Sequence, residues 1–262
     1  MDHTADVERF KQRVRARELL VGTWIMGSRS PSFIRLVAAA GFDFVLIDTQ
    51  HVAVGEATLQ DFCDVASACG LPAVVRVPEP SAASINRVLD LGAAGIMCPD
   101  VRTPATVLEA VQGMRFPPHG RRSAMGVAPG LGFSTPATRD DLESLERGAL
   151  LAIQLESEEG VSNVDDLLDT LAVDVVDIGR GDLAIDYGEL QSERRERSVR
   201  AVERIVAAAR RHPVAVGTTC SSVEEVHAMV EQGVTFIAFS SDRRLLHDAY
   251  RTALRAIRQD QG

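Results

Sequence analysis

Several stretches of this chain set chemically able side chains directly after apolar runs: Asp48-Thr-Gln-His51, Arg76, Pro99-Asp100, Gln154 with Glu156, and Gly179-Arg-Gly-Asp-Leu183. Glu156 and Asp182 are the most informative pair. Two carboxylates brought close repel unless one holds a proton or a cation sits between them. A cation there would be a hard, oxygen-liganded divalent ion with most positions left to substrate and water, the usual way Mg²⁺ or Mn²⁺ is held. The alternative is two solvated carboxylates on separate loops, and spacing alone does not choose. Gly179-Arg-Gly-Asp is a glycine-rich turn whose N–H groups can accept an anion. It matches neither GxGxxG nor the P-loop, so no nucleotide site follows, and an ordinary tight turn also accounts for it.

His51 follows Asp48 by three residues. A carboxylate beside an imidazole fixes its tautomer and raises its basicity; a histidine at a strand end also serves as plain structure. Arg76 closes an apolar run, either as a clamp for a carboxylate or as half of an ion pair. Arg121 and Arg122 stand in a stretch rich in Pro, Gly and Arg, residues 116–138. They read as surface residues, although a loop that long in a compact domain is usually functional.

Positioning these groups requires the apolar runs to be strands. Eight of them, at 21–25, 43–48, 73–77, 95–98, 151–156, 174–178, 214–217 and 235–239, are nearly all apolar, as strands buried on both faces are. Helical patterns lie between them, at 31–40, 56–69, 81–91, 104–114, 161–171, 194–211, 223–232 and 243–257. Ser30-Pro31, Thr103-Pro104 and Ser221/Ser222 give helix starts, and Gly41, Gly70, Gly92 and Gly233 give helix ends. Eight βα units in series give a closed parallel (β/α)₈ barrel, an α/β fold, more naturally than an open sheet. Chemistry in such a barrel gathers at the C-terminal ends of the strands, where the polar residues stand. Val7, Phe10 and Val14 share one helical face, so residues 1–19 are expected to cap one end of a single domain spanning 1–262.

The length of 262 residues suits one barrel and buries a full core without disulfides. A net charge of −9 argues against nucleic acid and against an anionic membrane surface. No apolar stretch is long enough to span a membrane, and residues 1–17 are too charged for a signal peptide. Cys63, Cys69, Cys98 and Cys220 form no CxxC pair and read as reduced, buried thiols of a cytoplasmic protein.

Six motifs in this order resemble the HpcH/HpaI aldolases, the metal-dependent class II pyruvate aldolases. They are Gly41-Phe-Asp-Phe-Val-Leu-Ile-Asp-Thr-Gln-His51, Val74-Val-Arg-Val77, Leu89-Asp-Leu-Gly-Ala93, Arg115-Phe-Pro-Pro-His-Gly-Arg-Arg-Ser123, Gln154-Leu-Glu156 and Ile178-Gly-Arg-Gly-Asp-Leu183. The resemblance runs over about residues 22–254. It implies a TIM barrel of the phosphoenolpyruvate/pyruvate type, assembled as a homo-oligomer, a hexamer or trimer of dimers with a swapped C-terminal helix. It makes Glu156 and Asp182 the ligands of a divalent metal, Mg²⁺ or Mn²⁺, with Co²⁺ or Zn²⁺ as further options. It makes Arg76 the pyruvate-binding arginine, Gln154 a substrate neighbour and His51 the catalytic histidine. Asp48 and Asp90 become acids that orient His51, Asp90 from a neighbouring subunit. The backbone at Gly181 and Asp182 helps to hold the substrate.

The reaction so implied is reversible cleavage of a 4-hydroxy-2-keto acid to pyruvate, or a similar 2-keto acid, and an aldehyde, with the metal stabilising the enolate. The chain's single lysine, Lys11, lies in the N-terminal segment, which excludes a lysine Schiff base. Three positions depart from the family pattern: Gln50 where many members carry Glu, Arg180 where Pro is usual, and Ala184 where Ser is common. Arg180, with the Arg121/Arg122 loop, suggests an acceptor bearing its own carboxylate. A citrate-synthase-like or CoA-thioester enzyme using oxaloacetate on the same site is the alternative reaction. A non-catalytic 2-keto-acid-binding barrel is the alternative of another class.

Overall fold

The computed structural model describes residues 3–125, 138–191 and 195–259. The apolar runs pair in chain order, all parallel, and close on themselves. The strands are β1 Leu20–Ile25, β2 Phe44–Asp48, β3 Ala73–Arg76, β4 Gly95–Cys98, β5 Leu150–Leu155, β6 Val175–Ile178, β7 Ala215–Cys220 and β8 Phe236–Ser241. Each strand buries one face inside the barrel and the other under the helices. That double burial is why the runs lack polar alternation.

The inner face holds Leu20, Phe44, Leu46, Val74, Leu150, Ala152, Val175 and Phe236. Helix His3–Arg15 plugs the N-terminal end of this interior. Its Phe10 lies 5.8 Å from Phe44 and 6.3 Å from Phe236, which themselves stack at 4.1 Å. Lys11 on the same helix donates to the Ala149 carbonyl at 2.6 Å and pairs with Asp174 at 3.0 Å. Burial pulls the Lys11 ammonium below its ordinary range, against the raising effect of Asp174. With that end of the interior closed by the helix, the C-terminal ends of the strands stand open to a cavity.

Helix starts follow the expected chemistry at Ser81 and Ser222, whose hydroxyls accept backbone N–H bonds from Ser84 and Glu225. Gly233 ends its helix at φ +102°, a conformation that favours glycine. Three local features differ from expectation. Helix Arg139–Gly148 fills the stretch between the expected loop and β5, to which no element was assigned; Thr138 and Asp141 form a capping box at its start, and only Gly148 of it is fully buried. The helix expected over 161–171 is two short ones, Glu158–Ser162 and Val164–Leu168, broken at Asn163. Strand β7 runs on to Cys220 and β8 to Ser241, so more strand reaches the open end.

Helix Asp242–Gln259 lies outermost. Of its residues only Asp242 is buried, while Leu245, Leu246, Tyr250, Leu254 and Ile257 are exposed. Among the described residues no helix is long and apolar enough to cross a membrane. The four cysteines are free thiols, and burial pushes Cys63 and Cys98 up to about 12.

Candidate active site

Strand alternation sets the last inward-facing residues of the strands in one layer above the apolar interior: Trp24, Asp48, Arg76, Gln154, Asp177 and Thr219. The register places Asp48 beside Arg76 and Gln154 beside Asp177. Buried polar groups must find partners, and these find one another. Arg76 is 6% exposed. Its Nε donates to Asp48 Oδ1 at 3.1 Å, and its Nη2 lies 3.0 Å from Asp48 Oδ2. Its Nη1 donates to Gln154 Oε1 at 3.2 Å. Gln154 Nε2 in turn donates to Asp177 Oδ2 at 2.8 Å. The guanidinium carbon sits 4.4 Å from the centroid of the Trp24 ring, and the indole N–H donates to Thr219 Oγ1 at 2.9 Å. Arg76 is thereby held on one edge by a carboxylate, on another by an amide, and on one face by an aromatic ring.

A cavity of about 560 Å³ opens above this layer. Trp24, His51, Arg76, Gln154, Gly181 and Asp182 are among the residues lining it. A Cβ at Gly181 would meet nothing within 4 Å, so the backbone there stands open.

Glu156 feels the charge of the Asp182 carboxylate. Glu156 is pushed up to about 7, first by burial and then by the Asp182 carboxylate. The Asp100 N–H donates to Glu156 Oε1 at 2.9 Å, with Asp100 held at φ 43°. A Cβ at Gly179 would stand 2.7 Å from Glu156 Oε2, so only glycine leaves that carboxylate its place. Asp182 is exposed in the first turn of helix Arg180–Asp186, which begins within the glycine-rich turn read from the sequence. A hard divalent cation fits this pair: both donors are carboxylates, and their mutual repulsion is what a cation would relieve. Among the described residues no group of three or more His, Cys, Asp or Glu gathers, so a cation here would meet two carboxylates of this chain. Gln50 Oε1 is buried without a partner.

Three expectations are corrected, those for Asp48, Arg180 and the Arg121/Arg122 pair; the expectation for Asp90 concerned a neighbouring subunit. Asp48 does not bond the His51 imidazole; it accepts Arg76 and the backbone N–H groups of Gln50 and His51, at 3.0 and 3.3 Å. The imidazole itself is exposed at the cavity. Asp90 ends helix Ala82–Asp90, just before β4 begins, at the opposite end of the barrel. There it accepts Asn86 at 2.7 Å and Arg122 at 3.1 Å, so it does not reach this chain's own site. Arg180 lines the cavity, but its charge is matched internally: Nε donates to Thr218 Oγ1, Nη2 to the Thr219 carbonyl, and Nη2 pairs with Glu225 at 2.6 Å. Arg121 pairs with Glu109 at 2.6 Å and Arg122 with Asp90, away from the cavity. The rest of the 116–138 loop falls at 126–137, outside the described residues.

Asp177 escaped the sequence reading. It sits mid-strand among valines, and the signal for it was parity: counting back by twos puts it on the same inward face as Val175. Burial pushes it up to about 6, while Gln154, Arg76 and Arg180 pull it down.

With this geometry in place, comparison with known proteins is direct. The family model described as HpcH/HpaI aldolase/citrate lyase matches residues 20–249. A 5-keto-4-deoxy-D-glucarate aldolase of Klebsiella pneumoniae is 29% identical over 249 residues, covering 95% of this chain and 96% of that one. A hydroxypyruvate/pyruvate aldolase of Delftia acidovorans is 30% identical over 242 residues, covering 92% and 88%. The crystal structure of an HpcH/HpaI aldolase/citrate lyase family protein from Burkholderia cenocepacia superposes with a TM-score of 0.88 at 32% identity, covering 96% of this chain and 99% of that one. The barrel, its open polar end and these matches agree: the chain belongs to the HpcH/HpaI aldolase/citrate lyase family of carbon–carbon lyases.

Proposed function

We propose that this chain is a divalent-metal-dependent aldolase that cleaves a 4-hydroxy-2-keto acid to pyruvate, or a similar 2-keto acid, and an aldehyde. The observation that carries this reading is the Glu156–Asp182 pair at the same strand ends as the buried, bracketed Arg76. One subsite attracts a cation and the other an anionic carboxylate. A 2-keto acid presents the matching groups side by side.

Arg76 is pre-aimed by Asp48, Gln154 and Trp24, so it holds the substrate carboxylate with little reordering. Gly181 and Asp182 offer backbone N–H groups beside it. Glu156 and Asp182 would hold a divalent cation, Mg²⁺ or Mn²⁺ by the hardness of the two carboxylates, which would supply fixed positive charge to offset the negative charge of the deprotonated 2-keto acid. His51, exposed at the cavity, moves the proton at the aldol hydroxyl. Lys11 lies at the far end of the barrel, bonded to Asp174 and the Ala149 carbonyl, so no lysine reaches the site.

We also infer a homo-oligomer. Helix Asp242–Gln259 exposes five large apolar side chains along its length, a face that a second copy would cover. Asp90, remote from its own site, acts in catalysis only if that assembly brings it to a neighbour's.

Titration calorimetry with Mn²⁺ tests the metal assignment. Glu156→Ala and Asp182→Ala should abolish binding, whereas His51→Ala should bind Mn²⁺ normally and lose most aldol turnover. Wild-type Mn²⁺ affinity in both carboxylate variants contradicts the assignment, and full turnover in His51→Ala removes His51 from the mechanism. Turnover that requires acetyl-CoA would replace aldol cleavage with the condensing reaction.

A further inference from the structure

Asp177 is fully inside the barrel, and nothing in the proposed chemistry uses it directly. The alternating face it occupies is filled below by Val175 and Ala152. An acid there is unfavourable on solvation grounds alone, and burial accordingly pushes it up to about 6. Room for it is made on the neighbouring strand: a Cβ at Gly217, its register partner on β7, would lie 2.9 Å from Asp177 Oδ1. The acid at 177 and the missing side chain at 217 are matched.

The chain of bonds through Gln154 gives the acid a purpose. A guanidinium only donates, so the Gln154 amide must turn its oxygen toward Arg76. Its NH₂ group then faces β6, where it needs an acceptor, and Asp177 Oδ2 is that acceptor at 2.8 Å. An apolar residue at 177 would leave a buried NH₂ without a partner. The amide would then be free to rotate, and the flipped amide sets donor against donor at Arg76.

We propose that Asp177 is a positioning residue for the 2-keto-acid carboxylate subsite, acting through the Gln154 amide on the Arg76 guanidinium. This rests on the reading of Arg76 as the carboxylate clamp. Asp48 fixes one edge of the guanidinium directly; Asp177 fixes the other at one remove. Arg180, the first residue of helix Arg180–Asp186, acts on Asp177 only through its charge; its bonds run to Thr218, Thr219 and Glu225, so Gln154 is the side chain through which Asp177 reaches the cavity floor.

The test measures the KM for pyruvate in methyl-deuterium exchange by the Mn²⁺-loaded protein, in which no aldehyde need be known. Asp177→Leu should raise the KM about tenfold, as expected for losing a charge-assisted bond, with kcat nearly unchanged. Asp177→Asn, which still offers an oxygen to Gln154, should restore the KM to within about threefold of wild type. Should the leucine variant not fold, Asp177→Ser carries the same expectation, being too short to reach Gln154. A residue with a purely structural role would lower the melting temperature and the active fraction while leaving the KM alone. A folded Asp177→Leu or Asp177→Ser variant with wild-type KM overturns the proposal. Arg76→Lys separates the two layers. If it raises the KM while the Asp177 variants do not, only the positioning role fails; if it too leaves the KM unchanged, the clamp itself fails.

Discussion

Asp48 accepts the Arg76 Nε–H through Oδ1 at 3.1 Å, and its Oδ2 lies 3.0 Å from Nη2 as an ion pair without a hydrogen bond of its own, both side chains buried at the mouth of the barrel. The acid therefore serves the arginine and the loop backbone after β2, while the imidazole of His51 stands exposed at the cavity. Removing one partner of a buried pair leaves an uncompensated charge, at a cost of about 3–5 kcal/mol. Asp48→Asn should lower unfolding stability by that order in urea denaturation and raise the KM for the 2-keto acid. A stability within about 0.5 kcal/mol of wild type would mean the pair contributes no more than a surface substitution.

Gly179 gives a second, geometric test. A Cβ there would press to 2.7 Å on both Glu156 Cβ and Oε2. Gly179→Ala should fold, because its φ of −77° suits alanine, and should weaken Mn²⁺ binding at least about tenfold by displacing a ligand. Calorimetry decides it; unchanged affinity would place Glu156 outside the metal shell.

The pH dependence of stability follows from Asp177. Its folded value of about 6 lies above the ordinary 3.8, so the native state holds this proton more tightly than the unfolded chain. The stabilisation is therefore complete below about 3.8 and is lost as pH rises through 6. Asp177→Asn has no such loss. It should be more stable than wild type at pH 8, by at most about 3 kcal/mol, with a smaller advantage at pH 5. Urea melts of both proteins at the two pH values measure it, and an advantage that does not shrink at pH 5 contradicts the sign.

Arg180 should not choose the acceptor. Its guanidinium is matched by Glu225 at 2.6 Å and by two oxygens on β7. Arg180→Ala should leave the preference between acidic and neutral aldehydes within about twofold of wild type, since no free charge is removed from the cavity. A strong loss of acidic aldehydes alone would show that the arginine leaves Glu225 when substrate binds.

Legibility in the sequence followed physical reach. Strands buried on both faces announce themselves as apolar runs, so all eight were readable, along with the strand ends that carry Arg76, Gln154, Glu156 and Asp182. Phe10 and Val14 gave the plugging helix by periodicity. Helix Arg139–Gly148 was hidden because its apolar face is short, carried by Leu142 and Leu145, and only half-buried among charged residues. An ion pair for Arg76 was among the readings, but which acid completes a pair across elements was not readable. Glu225 stands 45 positions after Arg180, and Asp48 had a near neighbour in His51 but a stronger partner in Arg76. Asp177 lay inside an apolar run, visible only once the strand's inward face was known.

The central claim is that the Glu156–Asp182 cation site and the Arg76 clamp together make a 2-keto acid shed a proton next to its carbonyl. Proton NMR of pyruvate in D₂O tests it most directly, with the protein plus Mn²⁺ or Mg²⁺ and again with EDTA. The account predicts loss of the methyl signal with the metal and its persistence with EDTA. Persistence of the methyl signal with the metal present, or equal loss with EDTA, would contradict it.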